Sequence, residues 1–598
     1  MSDLLPAWDL TQYCADLDDP KINSDLLEAK NAIENFEKKY RGKVKDLSPK
    51  ELLEAIKKDE ELSLQLGKPS YYLHLSYEAG GENIAKIQQK MISINEQTTN
   101  IANLTTFFGV ELSKRPDLLN LSKQPELEEY SYYLQRLEEN AKHILSEELE
   151  NVINLKDLTG NEAWSKLFID LSGKIEVESD LEGSLKKYRE SDLTNLLKNT
   201  DRSIRQKAWK LLTDELAKNE DLALEAYNNV LLDKKIDDQL RGFTFPQETS
   251  LLSNQLSKDV LDSLTSSIKA KLYLFQNYLK LKKEILNLEK FESFDVYADI
   301  HFENLELPQY TWNDCKKIVL DAFGEFHPRF REIAQMFFDN NWIDAQNRNQ
   351  KKSGAFCSSF GPGYHPVVLC TYLGKFEDVL TIAHEVGHGI HSYLTEEKQS
   401  LINSNYTLST AEIASLCCET IVFDKLIANI ENPKLKLQLY CNKIEEESGN
   451  IFSAGLGYYD FESKVHDSYR ENGPLDTQTI RKLWIENRHK NLLGDIVETA
   501  DGAEFGWSRI HHFMYIFYNY VYSSGLLISS SIYELLTDHP EKVADYLDVL
   551  RLGGSKNPVE ILKKLDLDIE KPDFWDLGLS LFEKQVKTAS DLWLTIKK

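Results

Sequence analysis

Through the first 240 residues, apolar positions recur every three or four, with carboxylates and lysines between them. That period lays an apolar stripe along one face of a helix. Segment 25–40, DLLEAKNAIENFEKKY, is predicted as an amphipathic helix on this ground, and so are 84–108 and 204–235. Ser and Asp stand where N-caps belong in LSPKELLEAI (47–56) and TDRSIRQKAW (200–209). A further helix pair is expected over 253–290, then a break, read as extended, at FDVYADIHFE (294–303). GKIEVES (173–179) alternates and predicts a short strand. Segment 351–375 differs: it is rich in Gly and Ser, then β-branched, which predicts a flexible loop and one strand, VVLCTY (367–372). Helices follow to the end. The pattern gives a mostly α protein with a small sheet beside the suspected site. With no Pro- or Gly-rich linker, the division expected is an N-terminal helical region, 1–195, and a catalytic region, 196–598.

Composition changes this picture little. The 598 residues are 41% apolar and 28% charged, as in ordinary globular proteins. The net charge of −27 argues against nucleic acid and against anionic lipid as partners. Residues 511–533 carry no formal charge, yet hold five Ser, five Tyr and one Asn. That hydrogen-bonding capacity is costly in lipid, so a core helix is expected and not a membrane span. The start, MSDLLPAWDL, lacks the basic-then-apolar pattern of a signal peptide. Seven scattered cysteines, an odd number with no CxxC, argue against a disulfide framework and point to the cytoplasm.

The chemistry concentrates in AHEVGHGIHSYL (383–394). His384 and His388 are four apart and share one face of a helix, so both imidazoles can reach one ion. Glu385 stands beside them, placed to act as general base on a zinc-bound water. Gly387 and Gly389 are poor helix formers, and their presence predicts close approach by another backbone or a ligand. His391 is expected to be a packed neighbour and not a ligand. The metzincin pattern would need Gly at 391 and His at 394, where this chain has His and Leu. A third ligand is therefore sought elsewhere. In TLSTAEIASLCCETIVFDKLIA (407–428), Glu412 interrupts a small, apolar face, with Ser415, Leu416 and Glu419 at i+3, i+4 and i+7. A carboxylate on such a face needs a partner. Zinc would satisfy Glu412, and a ligand imidazole N–H would satisfy Glu419.

HEVGHGIHS, followed 24 residues after its second His by the Glu of TAEIASLCCE, resembles the oligoendopeptidase F family of zinc metallopeptidases, related to thimet oligopeptidase and neurolysin. The resemblance extends to LPAWDL (5–10), TTFFGVELSK (105–114), DRSIRQKAW, LRGFTFP (240–246), SGAFCSSFGPGYHPVVLCTY (353–372) and WSRIHHFMYIFYNYVYSSG (507–525). It implies an elongated two-lobed helical fold with a deep central channel. It implies one zinc ion per chain on His384, His388 and Glu412, with Glu385 as base. The implied substrates are short unstructured oligopeptides, paired along the strand near His365–Tyr372, with His365 as a contact. Oxyanion donors are implied at His512, Tyr515 and Tyr522, which with Asn519 would share one helix face; Tyr518 is a further substrate contact. Cys370 and the Cys417–Cys418 pair depart from the usual family residues and touch no implied ligand. The function expected is a zinc endopeptidase. A helical zinc carboxypeptidase is the alternative, and an inactive peptide-binding scaffold a weaker one. Monomeric and homo-oligomeric forms are both compatible with this reading.

Overall fold

The computed structural model describes residues 5–181 and 183–598. The chain divides into two compact units, each assembled from three segments. The first takes Met1–Lys142, Glu306–Asn429 and Leu535–Leu567; the second takes His143–Leu305, Ile430–Glu534 and Asp568–Lys598. Both are mostly helical. Among the described residues, no helix is long and apolar enough to cross a membrane.

The local signals act as the pattern predicts. Ser48 caps Pro49–Glu78: its Oγ accepts from the Glu51 N–H, and the Glu51 carboxylate accepts from the Ser48 N–H at 2.9 Å. That reciprocal pair satisfies two donors a helix start would leave free. Asp201 caps the forty-residue helix Arg202–Arg241, which Gly242 ends in the left-handed conformation, φ +74°. The stripe of the first unit (Leu52, Ala55, Ile56, Leu62, Leu66, Leu73) is buried against Ile22, Leu26 and Ile33 of helix Lys21–Tyr40.

Strands β1 (Glu176–Ser179) and β2 (Lys186–Arg189) form an antiparallel pair in the second unit. The sheet of the first unit joins β3 (Ile343–Asp344), β4 (Phe356–Ser358) and β5 (Val367–Leu369) in the order β3–β5–β4. β5 runs parallel to β3 and antiparallel to β4. It is fully buried, as its apolar run requires. The loop from β3 to β4 is anchored: the buried Lys351 ammonium pairs with the buried Asp344 carboxylate of β3 at 2.7 Å.

One expected element differs. Residues 511–533 do not form one helix. A short 3-10 turn covers His511–Met514, and the α-helix begins only at Asn519. Phe517 between them is left-handed, φ +54°. A fully buried carboxyl group, that of Glu462, holds the break: it accepts from the Phe517 N–H at 2.6 Å and from Asn519 Nδ2 at 3.1 Å. Backbone donors that a continuous helix would have used are spent on this acceptor.

Candidate metal centre and catalytic site

Two helices of the first unit carry the centre. Phe376–Glu396 holds the histidine motif, and Leu408–Ala428 packs along it. At the crossing Gly387 leaves room for Ser415 and Ala414, and Gly389 leaves room for the ring of Phe337. Side chains at either glycine would drive the partners apart, which is the close approach the two glycines predict.

Across this crossing Glu412 Oε2 lies 3.5 Å from His384 Nε2 and 3.5 Å from His388 Nε2. The potential ligand atoms of the three residues lie within 4.8 Å of one another. The imidazole planes are nearly perpendicular, at 81°. Ser415 Oγ donates to Glu412 Oε2 at 2.6 Å, fixing the carboxylate from its own helix. The i+3 spacing of Ser415 from Glu412 is the signal in the sequence for this contact. Glu412 is not sealed: its side chain is 36% exposed, so the centre is open on one side.

His384 Nδ1 contacts Glu419 Oε2 at 3.0 Å. With Nδ1 protonated toward Glu419, Nε2 is the nitrogen that faces Glu412 and His388, and it presents a lone pair once its own proton is lost, as metal binding requires. Burial pulls the His384 pKa down, but the Glu419, Glu412 and Glu385 carboxylates outweigh it and lift it to about 9. His388, also buried, is held below its ordinary value. Two imidazole nitrogens and one carboxylate oxygen converging with an open side form a donor set that fits zinc in a catalytic setting.

Glu385 is buried next to the histidines. Burial raises its pKa to about 7, against the pull of His384. The backbone of Cys357 in β4, which packs on the motif helix, offsets part of that rise. That strand, which no alternation in the sequence marks, ties the sheet to the motif helix. His391 stands apart from the three-residue group. It is buried and stacked on Tyr406, ring centroids 4.1 Å apart and planes 4° from parallel.

The sheet order corrects one expectation. Both edges of β5 are occupied, by β3 and by β4. The backbone of Val367–Leu369 therefore has no edge left for a substrate strand, and the outer edge on the Glu385 side is that of β4. His365 packs flat on Trp342, 4.2 Å between centroids.

In the second unit, His512, Tyr518 and Tyr522 cluster, although not on one helix face. The break at Phe517 folds His512 back so that its Nε2 reaches the Tyr522 hydroxyl at 3.1 Å. Tyr518 packs edge-on to Tyr522 at 5.3 Å and lies 6.3 Å from both His512 and Tyr515. Tyr515 is exposed, whereas Tyr520 is buried beside Ser250 and Asn254.

A mostly helical chain bearing such a donor set, with a buried carboxyl beside it, defines a metal-dependent peptidase. The chain belongs to peptidase family M3, whose profile matches residues 195–581. A second profile, Oligopeptidase F, matches residues 116–176. Oligopeptidase PepF of Bacillus subtilis is 25% identical over 591 residues, covering 97% of this chain and 86% of the relative. An oligoendopeptidase F homolog of Borreliella burgdorferi is 25% identical over 598 residues, covering 98% of each. Among solved structures, oligoendopeptidase F from Enterococcus faecium aligns with a TM-score of 0.68 at 22% identity, over 96% of this chain and 98% of that one. A candidate peptidase from Chlamydophila abortus aligns at 0.86 and 22%, over 98% of both chains. These structural likenesses establish the fold.

Proposed function

We propose that this chain is a cytoplasmic zinc endopeptidase that cleaves internal bonds of short unstructured oligopeptides; its relatives are named oligopeptidase and oligoendopeptidase. The observation that carries the reading is the convergence of His384, His388 and Glu412 with Glu385 beside them. One zinc ion per chain is held by the first three residues. When bound, zinc supplies Lewis acidity, polarising a substrate carbonyl and acidifying water to roughly neutral pKa.

Glu385 takes the proton of the attacking water and returns it to the leaving amine. A carboxyl with a pKa of about 7 is matched to both transfers near neutrality. Glu419 keeps His384 in the tautomer that presents Nε2. His512 and Tyr522, with Tyr515, are assigned as donors to the developing oxyanion, on the family resemblance. The β4 edge, with Tyr518, is assigned to hold the extended peptide. Pairing through main-chain groups would read little sequence.

The test is Glu385→Gln on a peptide blocked at both ends. Zinc content should stay at one per chain while cleavage falls below detection; retained cleavage would refute Glu385 as the base. Mass spectra of wild-type products should show internal scission. A ladder of single residues lost from an unblocked C-terminus would instead favour a carboxypeptidase.

A further inference from the structure

The second unit contains a cavity of about 950 Å³ to which no role has been given. Its walls combine apolar side chains, Phe275 and Leu279, with the guanidinium of Arg488. Arg488 is only 7% exposed. One of its nitrogens donates to Ser453 Oγ at 2.9 Å, and its guanidinium lies over the Tyr458 ring at 5.9 Å. Among the described residues it has no carboxylate partner. The other buried cation of the cavity, Lys282, is neutralised by Glu445 at 2.8 Å. A buried guanidinium without a counter-ion is costly, and the structure around it must have a reason to keep it.

The backbone supplies a second, independent sign. Ser453 lies in a ten-residue π-helix, Gly449–Tyr458, and Arg488 in a nine-residue one, Ile485–Leu493. π-helical turns are rare, mostly single, and concentrate at functional sites. Here two long ones pack together, with Gly457 admitting Leu492 between them. The two residues that meet inside the cavity are drawn one from each.

We infer that this cavity binds a carboxylate carried on a partly apolar body, with Arg488 as the anion-binding residue. A guanidinium matches a carboxylate in geometry and charge. Asp299, Glu446 and Glu445 also line the cavity, so a dianion such as phosphate meets more repulsion than a monoanion. Phe275 and Leu279 give the body its apolar wall. The free C-terminus of a short peptide and a free organic acid share this chemistry.

The test is calorimetric titration of the full-length, zinc-loaded protein with N-acetylphenylalanine, N-acetylphenylalaninamide, hexanoate and inorganic phosphate. The acid should bind saturably, and at least about tenfold more tightly than the amide, as expected for a charge-assisted contact. Arg488→Met should abolish that preference, and Arg488→Lys should reduce it while keeping the charge. Tighter N-acetylphenylalanine than hexanoate supports the site with a peptide terminus as its source; the reverse supports it with a free acid. Equal binding of acid and amide, phosphate binding as tight as the acid, or acid binding unchanged in Arg488→Met would overturn the inference. The last outcome would place the carboxylate on the zinc ion instead. If Arg488→Met proves unfolded by circular dichroism, Arg488→Lys and the acid–amide comparison decide alone.

Discussion

A β-carbon on Gly387 would stand 2.7 Å from the Cα of Ser415 and 3.0 Å from the carbonyl oxygen of Ala414. The two helices of the metal centre therefore touch backbone to backbone, at a point next to His388 and three residues from Glu412. This contact sets the distance between the histidines and the carboxylate. Gly387→Ala forces the helices apart by a few tenths of an ångström or more. We expect a stability loss of about 1–3 kcal/mol, typical of overpacking. Zinc affinity should fall at least about tenfold, as when a ligand's support is disturbed. Competition with a chelator measures the second effect and a melting curve the first. Unchanged zinc affinity in a folded variant would show that the crossing does not control the centre.

Glu419 acts on the centre by holding His384. Glu419→Gln keeps an acceptor oxygen for the imidazole N–H but removes the charge, whereas Glu419→Ala removes both. Zinc affinity should drop about 10–100-fold in the alanine variant and less in the glutamine variant. Equal losses in the two would mean that Glu419 matters for packing and not for holding His384.

Much of the first unit's site was legible because its signals are local. His384, Glu385 and His388 follow from helical spacing, and Gly387 and Gly389 stand out as residues a helix does not favour. Glu412 and Glu419 could be read because carboxylates interrupt an apolar stripe. Long helices such as Arg202–Arg241 were legible for the same reason, with Asp201 and Gly242 as their ends. What failed depended on distant partners. The break before Asn519 is dictated by Glu462, more than fifty residues upstream, so periodicity alone ran the helix through it. The order β3–β5–β4 likewise depends on Ile343–Asp344, a two-residue strand with no periodicity to detect. The π-helices carrying Ser453 and Arg488 lie where the pattern predicts only further helix, and nothing in it separates a π-helical turn from an α-helical one.

The oxyanion role proposed for Tyr522 predicts a specific kinetic signature. Tyr522→Phe removes one hydroxyl, the one in contact with His512. Loss of one such donor costs roughly 10²–10³ in kcat. KM and zinc content should change little, because the interaction is used only as charge develops on the carbonyl. A variant with normal kcat and a raised KM would reassign Tyr522 to ground-state substrate binding.

The final prediction concerns Glu462, which holds the break before the tyrosine helix. Burial raises its pKa from the usual 4.5 to about 8, only partly offset by the Phe517 and Asn519 donors. Between those two values the folded protein keeps a proton that the unfolded chain has lost. The contribution of Glu462 to stability must then fall as pH rises from about 4.5 to about 8, with a slope approaching about 1.4 kcal/mol per pH unit, and flatten above. Glu462→Gln is neutral at every pH and removes this dependence. Its oxygen can still accept from the Phe517 N–H. Its amide can donate to Asn519 Oδ1, a buried atom with no hydrogen-bond partner among the described residues, once the Asn519 amide turns over. Urea midpoints for both proteins from pH 5 to about pH 9 test this linkage. The variant should gain on the wild type as pH rises to about 8, and the two curves should run parallel beyond it. Curves parallel over the whole range would mean that Glu462 is ionised in the folded protein throughout.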